Sequence, residues 1–286
     1  MHEKKIFSHK ILALLRTRIL AAVLMPALIG TAFSARQGYF ELIRFVLILA
    51  GLVIAELMNL FGTDYFSGSP FKGPPGSRPP RLPGNPVLPP SILKTENIPR
   101  VILSLGIAGL AILVSLTILA GPVVLIFMAL ALATGFLYVF DPFPYSFLAT
   151  AVLPPIICAG VYFVLSGKLI LEAFLVGLPV AWISVSVILG YRVLYRGTNT
   201  GTLSFDRKKI AAVLLVYFFC PVNITLSHIM GLYPPLTLVA VPACLLFIYG
   251  TYRILREKTS DFIPATSVGV LMHSTVSMLV AGSLLL

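Results

Sequence analysis

The sequence predicts an all-α integral membrane protein with nine transmembrane helices in one bundle, arranged around a central cavity that opens to the cytoplasmic side. Three observations predict this class. Of the 286 residues, 58% are hydrophobic and only 11% are charged, and the mean hydropathy is +0.99. Apolar runs of roughly 20 residues, the length that crosses a bilayer core of about 30 Å, recur along the whole chain. The Lys and Arg residues collect in alternate connections between these runs, as they do in polytopic membrane proteins.

The composition excludes several other classes of protein. A soluble domain usually carries about 25% charged residues, so a chain with 11% has too little charge to cover a water-facing surface. Cys158, Cys220 and Cys244 lie in separate apolar runs without metal-binding spacing, and we expect them to be small buried hydrophobes. The net charge of +11 is explained by membrane topology and attraction to anionic lipid, and no stretch has the interleaved basic and aromatic residues typical of nucleic-acid binding.

The predicted spans follow one another through mostly short connections. They are, in order, Ile19–Ser34, Gly38–Leu60, Ile98–Ala120, Pro122–Phe140, Phe147–Leu165, Leu169–Gly190, Ile210–Ser227, Tyr233–Tyr252 and Pro264–Leu286. We therefore expect a single polytopic domain over residues 1–286. It comprises a basic cytoplasmic tail (1–18), a long Pro/Gly-rich cytoplasmic loop (61–97) and a second basic cytoplasmic loop (191–209).

The distribution of positive charge predicts the orientation of these spans. With the N-terminus in the cytoplasm, all of the 21 Lys and Arg residues except Arg36, Arg44 and Lys168 fall in cytoplasmic segments. Lys and Arg resist translocation, so the sequence predicts a multi-pass plasma-membrane protein with a cytoplasmic N-terminus and an external C-terminus.

A polar stripe ends the second span. Glu56, Asn59, Thr63 and Ser67 are spaced three, four and four residues apart, which places them on one face of a helix with Asp64 at its flank. Ionisable residues within a bilayer usually face a bundle interior or a hydrated cavity. The stripe therefore indicates either a substrate cavity near the cytoplasmic end or hydrogen bonding between helices, and the carboxylates favour the cavity.

Two basic loops follow the second and sixth spans. Lys72, Arg78 and Arg81 lie in the first loop, and Arg192 and Arg196 lie one helical turn apart at the start of the second. These cations either serve membrane topology alone or donate hydrogen bonds to a phosphate group, for which arginine offers two parallel donors.

The end of the fourth span carries two further candidates. Tyr138 and Asp141 could line the mouth of a cavity, although Asp141 could equally cap a helix that begins at Pro142. His228 and His273 stand alone in apolar surroundings, and the sequence assigns them no function.

Several strings, in this order along the chain, resemble the UbiA superfamily of intramembrane prenyltransferases. Thr63–Ser67 is similar to the Asn-Asp-Tyr-x-Asp opening of that family's first motif, and Pro86–Ser91 is similar to its Arg-Pro-Leu-Pro-Ser-Gly stretch. Asp141–Pro144 resembles the corresponding region of the branch that prenylates dihydroxynaphthoate. Thr202 and Leu203 resemble the Gly-x-x-Thr-Leu that follows the second motif. The resemblance covers the chain from about Leu52 to its end.

The resemblance implies a mechanism. Two Asp-rich motifs would hold Mg²⁺ against a prenyl diphosphate, and the leaving diphosphate would give an allylic carbocation that alkylates a hydrophobic acceptor. In this chain Asp64 would be the catalytic carboxylate and metal ligand. The substrate-binding residues would come from the stripe, the two basic loops and the end of the fourth span.

The chain departs from the family pattern where the family binds metal. In the first motif Thr63 replaces Asn, and Ser67 and Phe71 replace the second and third Asp. In the second motif Tyr191 and Tyr195 stand where Asp is expected. We therefore expect Mg²⁺ to be dispensable or weakly held, because one carboxylate supports two bridging ions poorly.

Three functions remain open at this point. The first is a divergent prenyltransferase acting on a quinone precursor or lipid. The second is a catalytically inactive homologue that binds a lipid or a protein partner, and the third is a transporter. The transporter is disfavoured because neither an internal repeat nor a pair of interrupted helices is visible in the sequence.

Overall fold

The computed structural model describes residues 23–68, 97–140, 145–190, 207–256 and 262–286. Every secondary-structure element in these ranges is a helix, which confirms the all-α prediction for the described part of the chain. The α-helices are α1 (Val23–Arg36), α2 (Leu42–Gly68), α3 (Ile98–Ala120), α4 (Val123–Phe140), α5 (Tyr145–Ser166), α6 (Leu171–Leu175), α7 (Leu178–Gly190), α8 (Arg207–Ile229), α9 (Ala240–Arg256) and α10 (Phe262–Leu285). A 3-10 turn, Pro235–Val239, precedes α9.

The predicted spans and the helices agree closely, and α3 has the predicted bounds. Two predicted spans are interrupted. The sixth is divided into α6 and α7 by a turn at Val176 and Gly177, and the eighth begins as the 3-10 turn Pro235–Val239.

Two expected loops are shorter than predicted. α2 continues to Gly68, so the first eight residues of the expected loop 61–97 are helical, and the helix ends two residues before Pro70. The residues from Phe61 to Gly68 contain no proline, whereas Pro70 lacks a backbone N–H and disfavours continuation of the helix. α8 begins at Arg207, so the last three residues of the expected loop 191–209 are also helical.

Three helical segments in the described ranges are long and apolar enough to cross a membrane. They are Ile98–Ala120, Ile210–Ile229 and Pro235–Arg253. Five further apolar helices of the described residues are shorter, and the number of nine transmembrane helices stays a prediction.

The helices pack as two groups. α7 packs on α8, α8 on α9, α9 on α10 and α10 on α7, so these four form a closed ring. In the other group α2 packs on α3 and α4 packs on α5, while α3 also meets α4. α5 and α7 join the two groups, and α1 lies against α5.

Four short connections lie together at one end of the bundle, which we call the short-loop end. They are 37–41, 121–122, 167–170 and 230–234. Three hydrogen bonds link three of these connections with α1, α5 or one another: Arg36 Nη1 to Leu232 O (3.0 Å), Tyr162 Oη to Gln37 Oε1 (2.6 Å) and Lys168 Nζ to Tyr39 Oη (2.5 Å). The bond from Lys168 to Tyr39 raises the pKa of the Lys168 ammonium group.

Candidate functional site

The helix ends that carry or precede the predicted site residues lie at the end of the bundle opposite the short-loop end. α2 begins at the short-loop end and ends at Gly68, and α3 begins at the opposite end and returns. The contacts between them are antiparallel, since Gly51, Ile54 and Met58 meet Ile112, Gly109 and Gly106 respectively. Because successive helices run in opposite directions through the bundle, α4 and α7 end at this opposite end, and α5, α8 and α10 begin there.

The structure describes only some of the predicted residues. Asn59, Thr63, Asp64 and Ser67 occupy the last turns of α2, and Tyr138 lies in the last turn of α4, but their side chains are outside the described set. The remaining predicted residues lie outside the described ranges altogether: Lys72, Arg78, Arg81, Asp141, Arg192 and Arg196.

Glu56 is the predicted site residue whose side chain the structure describes, and it is 8% exposed. α2 uses Ile54 and Met58 to contact α3. Each of these stands two residues from Glu56, which is about 200° around a helix, so Glu56 lies on the face of α2 opposite α3. Since α3 lies at the outside of the bundle and is largely exposed, this face of α2 is directed inward.

Glu56 has a polar counterpart at a similar depth on α5. Arg44 Nη1 donates a hydrogen bond to the carbonyl oxygen of Val164 (2.9 Å), which fixes the register of α2 against α5. Glu56 lies twelve residues after Arg44 on α2, a distance of about 18 Å along the helix. Thr150 lies fourteen residues before Val164 on the antiparallel α5, about 21 Å in the same direction. Thr150 is 9% exposed, so both side chains are withdrawn from the surface.

The register extends from α5 to α7. A methyl group at Gly177 would lie 2.7 Å from Pro155 Cα, so the two backbones touch there. Thr150 lies five residues before Pro155, and Ser184 lies seven residues after Gly177 on the antiparallel helix. The two residues therefore share a depth to within about one helical turn.

The register continues from α7 to α10. A methyl group at Gly269 would lie 2.7 Å from Val187 Cγ2. Ser184 lies three residues before Val187 on α7, and His273 lies four residues after Gly269 on α10. Glu56, Thr150, Ser184 and His273 thus lie at similar depths, within about one helical turn, on four helices, and we call this set the polar layer.

His273, a member of the polar layer, is buried without a hydrogen-bond partner for its ring nitrogens among the described residues. It is 5% exposed, and neither ring nitrogen has a hydrogen-bond partner within the described ranges. Ser277, one turn further along α10, is 1% exposed, and its hydroxyl likewise finds no partner among the described residues. This contrasts with Ser184, whose hydroxyl donates to the carbonyl oxygen of Val180 at 3.1 Å.

The described carboxylates do not form a magnesium site. Glu41 and Glu172 belong to the short-loop end, and Glu56 lies in the interior. No three His, Cys, Asp or Glu residues come together as metal ligands in the described part of the chain. The side chain of Asp64 is not among the described ones. The magnesium site with Asp64 as its one carboxylate therefore stays a prediction.

Sequence reasoning identified Glu56 but not the rest of the polar layer. Thr150, Ser184 and His273 stand in three separate apolar runs, and nothing in their local spacing distinguishes them from residues that bond within their own helix. Their common depth follows only from the contacts between helices. A lone histidine in an apolar span is the one signal that the sequence offered.

The fold resembles that of a known enzyme. A solved structure of a digeranylgeranylglyceryl phosphate synthase, studied in membranes, superposes with a TM-score of 0.59. The match covers 94% of this chain and 93% of that chain at 12% sequence identity. No protein-family model and no curated protein matches the sequence. The structural match shows that this chain has the fold of that membrane enzyme.

Proposed function

We propose that the chain is a divergent prenyltransferase of the UbiA type, which transfers an isoprenoid chain from a prenyl diphosphate to a hydrophobic acceptor. The observation that carries the proposal is the fold, which is shared over 94% of the chain with a synthase whose named product bears geranylgeranyl groups. The order of motif-like strings in the sequence supports the same family. The acceptor class is a quinone precursor or a membrane lipid, since both reach the protein through the bilayer.

Binding of the diphosphate is assigned to the two basic loops. Lys72, Arg78 and Arg81 follow the end of α2, and Arg192 and Arg196 follow the end of α7. α2 and α7 end on the same side of the bundle, which supports a shared role for the loops. Arginine donates two parallel hydrogen bonds to phosphate oxygens and remains charged when partly buried.

Departure of the diphosphate leaves an allylic carbocation that water would destroy. The inward face of α2 supplies Glu56, and Asn59, Thr63 and Ser67 follow it at helical spacing. We assign these residues to orienting the diphosphate end of the substrate, while apolar helix faces shelter the chain. Tyr138 and Asp141 would stand at the mouth of the cavity.

Asp64 is the carboxylate that would hold Mg²⁺. The metal, when bound, would supply positive charge to the diphosphate oxygens. Lys72, Arg78, Arg81, Arg192 and Arg196 also lie in the two loops, so we propose that direct hydrogen bonds from these cations carry much of the neutralisation. The site is proposed to face the cytoplasm of a plasma-membrane protein with its N-terminus inside.

A non-catalytic lipid-binding protein is the second candidate. It is favoured by the replacement of expected aspartates by Ser67, Phe71, Tyr191 and Tyr195. Such a protein would keep the fold and bind an isoprenoid lipid without cleaving a diphosphate. A transporter has less support, because the shared fold is that of a synthase.

Incubation of the purified protein with labelled geranylgeranyl diphosphate and an extract of membrane lipids tests the proposal. A prenyltransferase converts the label into a new lipid that chromatography separates from the diphosphate, both with and without Mg²⁺. Binding of the labelled diphosphate without product would favour the non-catalytic candidate. Neither binding nor product would reject both.

A further inference from the structure

Cys220 and Cys244 form a buried pair of thiols that the assignments above leave unused. Cys220 belongs to α8 and Cys244 to α9, and their Sγ atoms lie 3.7 Å apart, at the distance of a thiol–thiol hydrogen bond. Both residues are 0% exposed, and neither forms a disulfide. The fold therefore brings two free thiols from different helices into direct contact.

The pair lies near the middle of the predicted bilayer. Both helices include segments long and apolar enough to cross a membrane. Cys220 lies nine residues before the end of α8 at Ile229, which is about 13 Å along the helix. Cys244 follows the five-residue 3-10 turn Pro235–Val239 and four residues of α9, which together rise about 16 Å from the short-loop end. Half of a bilayer core of about 30 Å is about 15 Å, so both estimates place the thiols close to the midplane.

The packing around the pair holds α8 and α9 together at this depth. α8 packs on α9, and both cysteines belong to one buried hydrophobic cluster. Ile224, one turn after Cys220, and Ala240, one turn before Cys244, belong to the same cluster and are 0% exposed. Water therefore does not reach the two sulfur atoms in the folded protein.

The geometry leaves a short step between this contact and a covalent bond. A disulfide requires the sulfur atoms to approach from 3.7 Å to about 2.05 Å. Rotation of each side chain about its Cα–Cβ bond moves the sulfur atoms towards each other. Pro221 follows Cys220 directly and has no N–H to bond the carbonyl oxygen of Tyr217, so the α8 backbone is less constrained at this point.

The surroundings of the thiols determine which oxidant can react with them. Oxidation in water proceeds through the thiolate, but a charged group is costly at the middle of a bilayer. The oxidant must therefore be uncharged and soluble in hydrocarbon, and it must take up protons together with electrons. A quinone dissolved in the bilayer has all three properties, because it becomes a hydroquinone by accepting two electrons and two protons.

We propose that Cys220 and Cys244 are an oxidation site at which a lipid-soluble quinone produces an intramolecular disulfide between α8 and α9. The two S–H bonds break and one S–S bond forms. The two electrons and two protons released pass to the quinone, which leaves as the hydroquinone, so no further reactant is required. The disulfide is uncharged and suits its apolar surroundings. This site is independent of prenyl transfer.

The test counts free thiols in the full-length protein reconstituted in phosphatidylcholine liposomes. The liposomes are incubated with decylubiquinone, whose ring carries no unsubstituted carbon, and the protein is then precipitated with acid and dissolved in detergent with polyethylene glycol maleimide. Each free cysteine adds one tag that slows migration on a gel. Untreated protein should carry three tags, since its three cysteines are free. Protein treated with the quinone should carry one tag, on Cys158, and dithiothreitol should restore three.

Cys158→Ala is the matched control for the third cysteine. The Cys158 thiol donates to the carbonyl oxygen of Pro26 and takes no part in the pair, so this variant should carry two tags before treatment and none afterwards. Cys220→Ala and Cys244→Ala should each keep two tags with or without the quinone. Oxidised glutathione, a charged oxidant confined to water, should leave the wild type with three tags.

Four results would overturn the proposal. The first is a wild-type protein that keeps three tags after treatment with the quinone. The second is a loss of tags in Cys220→Ala or Cys244→Ala, which would place the reaction at another cysteine. The third is a loss that dithiothreitol does not reverse, which would show addition to the thiols. The fourth is equal oxidation by glutathione, which would contradict a route through the bilayer.

Discussion

Gly30 of α1 lies directly against the backbone of Cys158 in α5. A methyl group at Gly30 would stand 2.7 Å from the carbonyl oxygen of Cys158 and 3.0 Å from its Cα. The Cys158 thiol also donates to the carbonyl oxygen of Pro26 at 3.0 Å, so the two helices meet over a full turn. Small residues allow such close approach between helices in a bilayer, where packing replaces the hydrophobic effect.

Gly30→Ala should destabilise the protein by about 1–3 kcal/mol, because the added methyl group meets backbone atoms that cannot rotate away. Thermal unfolding in detergent, followed by loss of the monodisperse chromatographic peak, measures the change. Gly282→Ala is the matched control, since a methyl group there would meet nothing within 4 Å. Alanine is also the better helix former, so the control should be neutral or slightly stabilising. Equal melting temperatures for the two variants would show that α1 and α5 are not packed this closely.

Arg44→Met should lower the free energy of unfolding by about 1.5–3 kcal/mol, the range for a hydrogen bond from a charged donor. Arg44 donates to the carbonyl oxygen of Val164, which lies in the last turn of α5 and lacks a helical partner there. Glu41→Gln removes the ion pair of Arg44 with Glu41 (2.7 Å) but keeps this bond. Glu41 is 45% exposed, so its loss should cost less than about 0.5 kcal/mol. The same melting measurement checks both, and the reverse order of effects would contradict the assignment.

Arg192→Ala or Arg196→Ala should weaken the binding of geranylgeranyl thiodiphosphate about ten- to hundredfold, because a charge-assisted hydrogen bond contributes roughly 1.5–3 kcal/mol. Either loss should be at least as large as that in Asp64→Asn. Titration with this unreactive analogue of the diphosphate in labelled form, with and without Mg²⁺, measures the affinities. Arg100→Ala is the control, since Arg100 is an exposed cation at the start of α3 at the same end of the bundle. Binding that survives both loop variants but disappears in Asp64→Asn would identify a metal-based site instead.

The two basic loops must face the same side of the membrane if they bind one diphosphate. Cysteines introduced at Ser77 and Thr198 should react with an impermeant maleimide only when the cytoplasmic side is accessible. A cysteine at Met230, which is 65% exposed at the short-loop end, should react only from the other side. The three native cysteines are buried and should stay unlabelled. Labelling of Ser77 and Thr198 from opposite sides would exclude a shared site.

The helices could be predicted from the sequence because each depends on a local run of apolar residues. α3 lies where its 23 apolar-rich residues predicted it. The break between α6 and α7 was not predicted, because the run from Leu169 to Gly190 is apolar apart from Glu172 and a few small or hydroxyl residues, and Gly177 and Pro179 fall within one predicted span. That break depends on the contact of Gly177 with Pro155, which is distant in the sequence.

The candidate site also has a part that could be predicted from the sequence and a part that could not. The position of Glu56 on a polar stripe could be predicted from helical spacing within one segment. His273 gave no such signal, because its significance depends on sharing a depth with Glu56, Thr150 and Ser184 on other helices. Burial without a partner is a property of the folded chain, and no pattern in the sequence of α10 reveals it.

Reconstituted protein in sealed liposomes offers the most direct measurement of the central claim that this chain transfers a prenyl group. The liposomes contain geranylgeranylglyceryl phosphate or 1,4-dihydroxy-2-naphthoate, and doubly labelled geranylgeranyl diphosphate is added outside. Transfer predicts that one diphosphate is released for each labelled prenyl chain recovered in the acceptor, and that the Arg192→Ala/Arg196→Ala double variant loses both signals together. Bound diphosphate that stays intact over many hours with either acceptor, at any Mg²⁺ concentration, would contradict the claim.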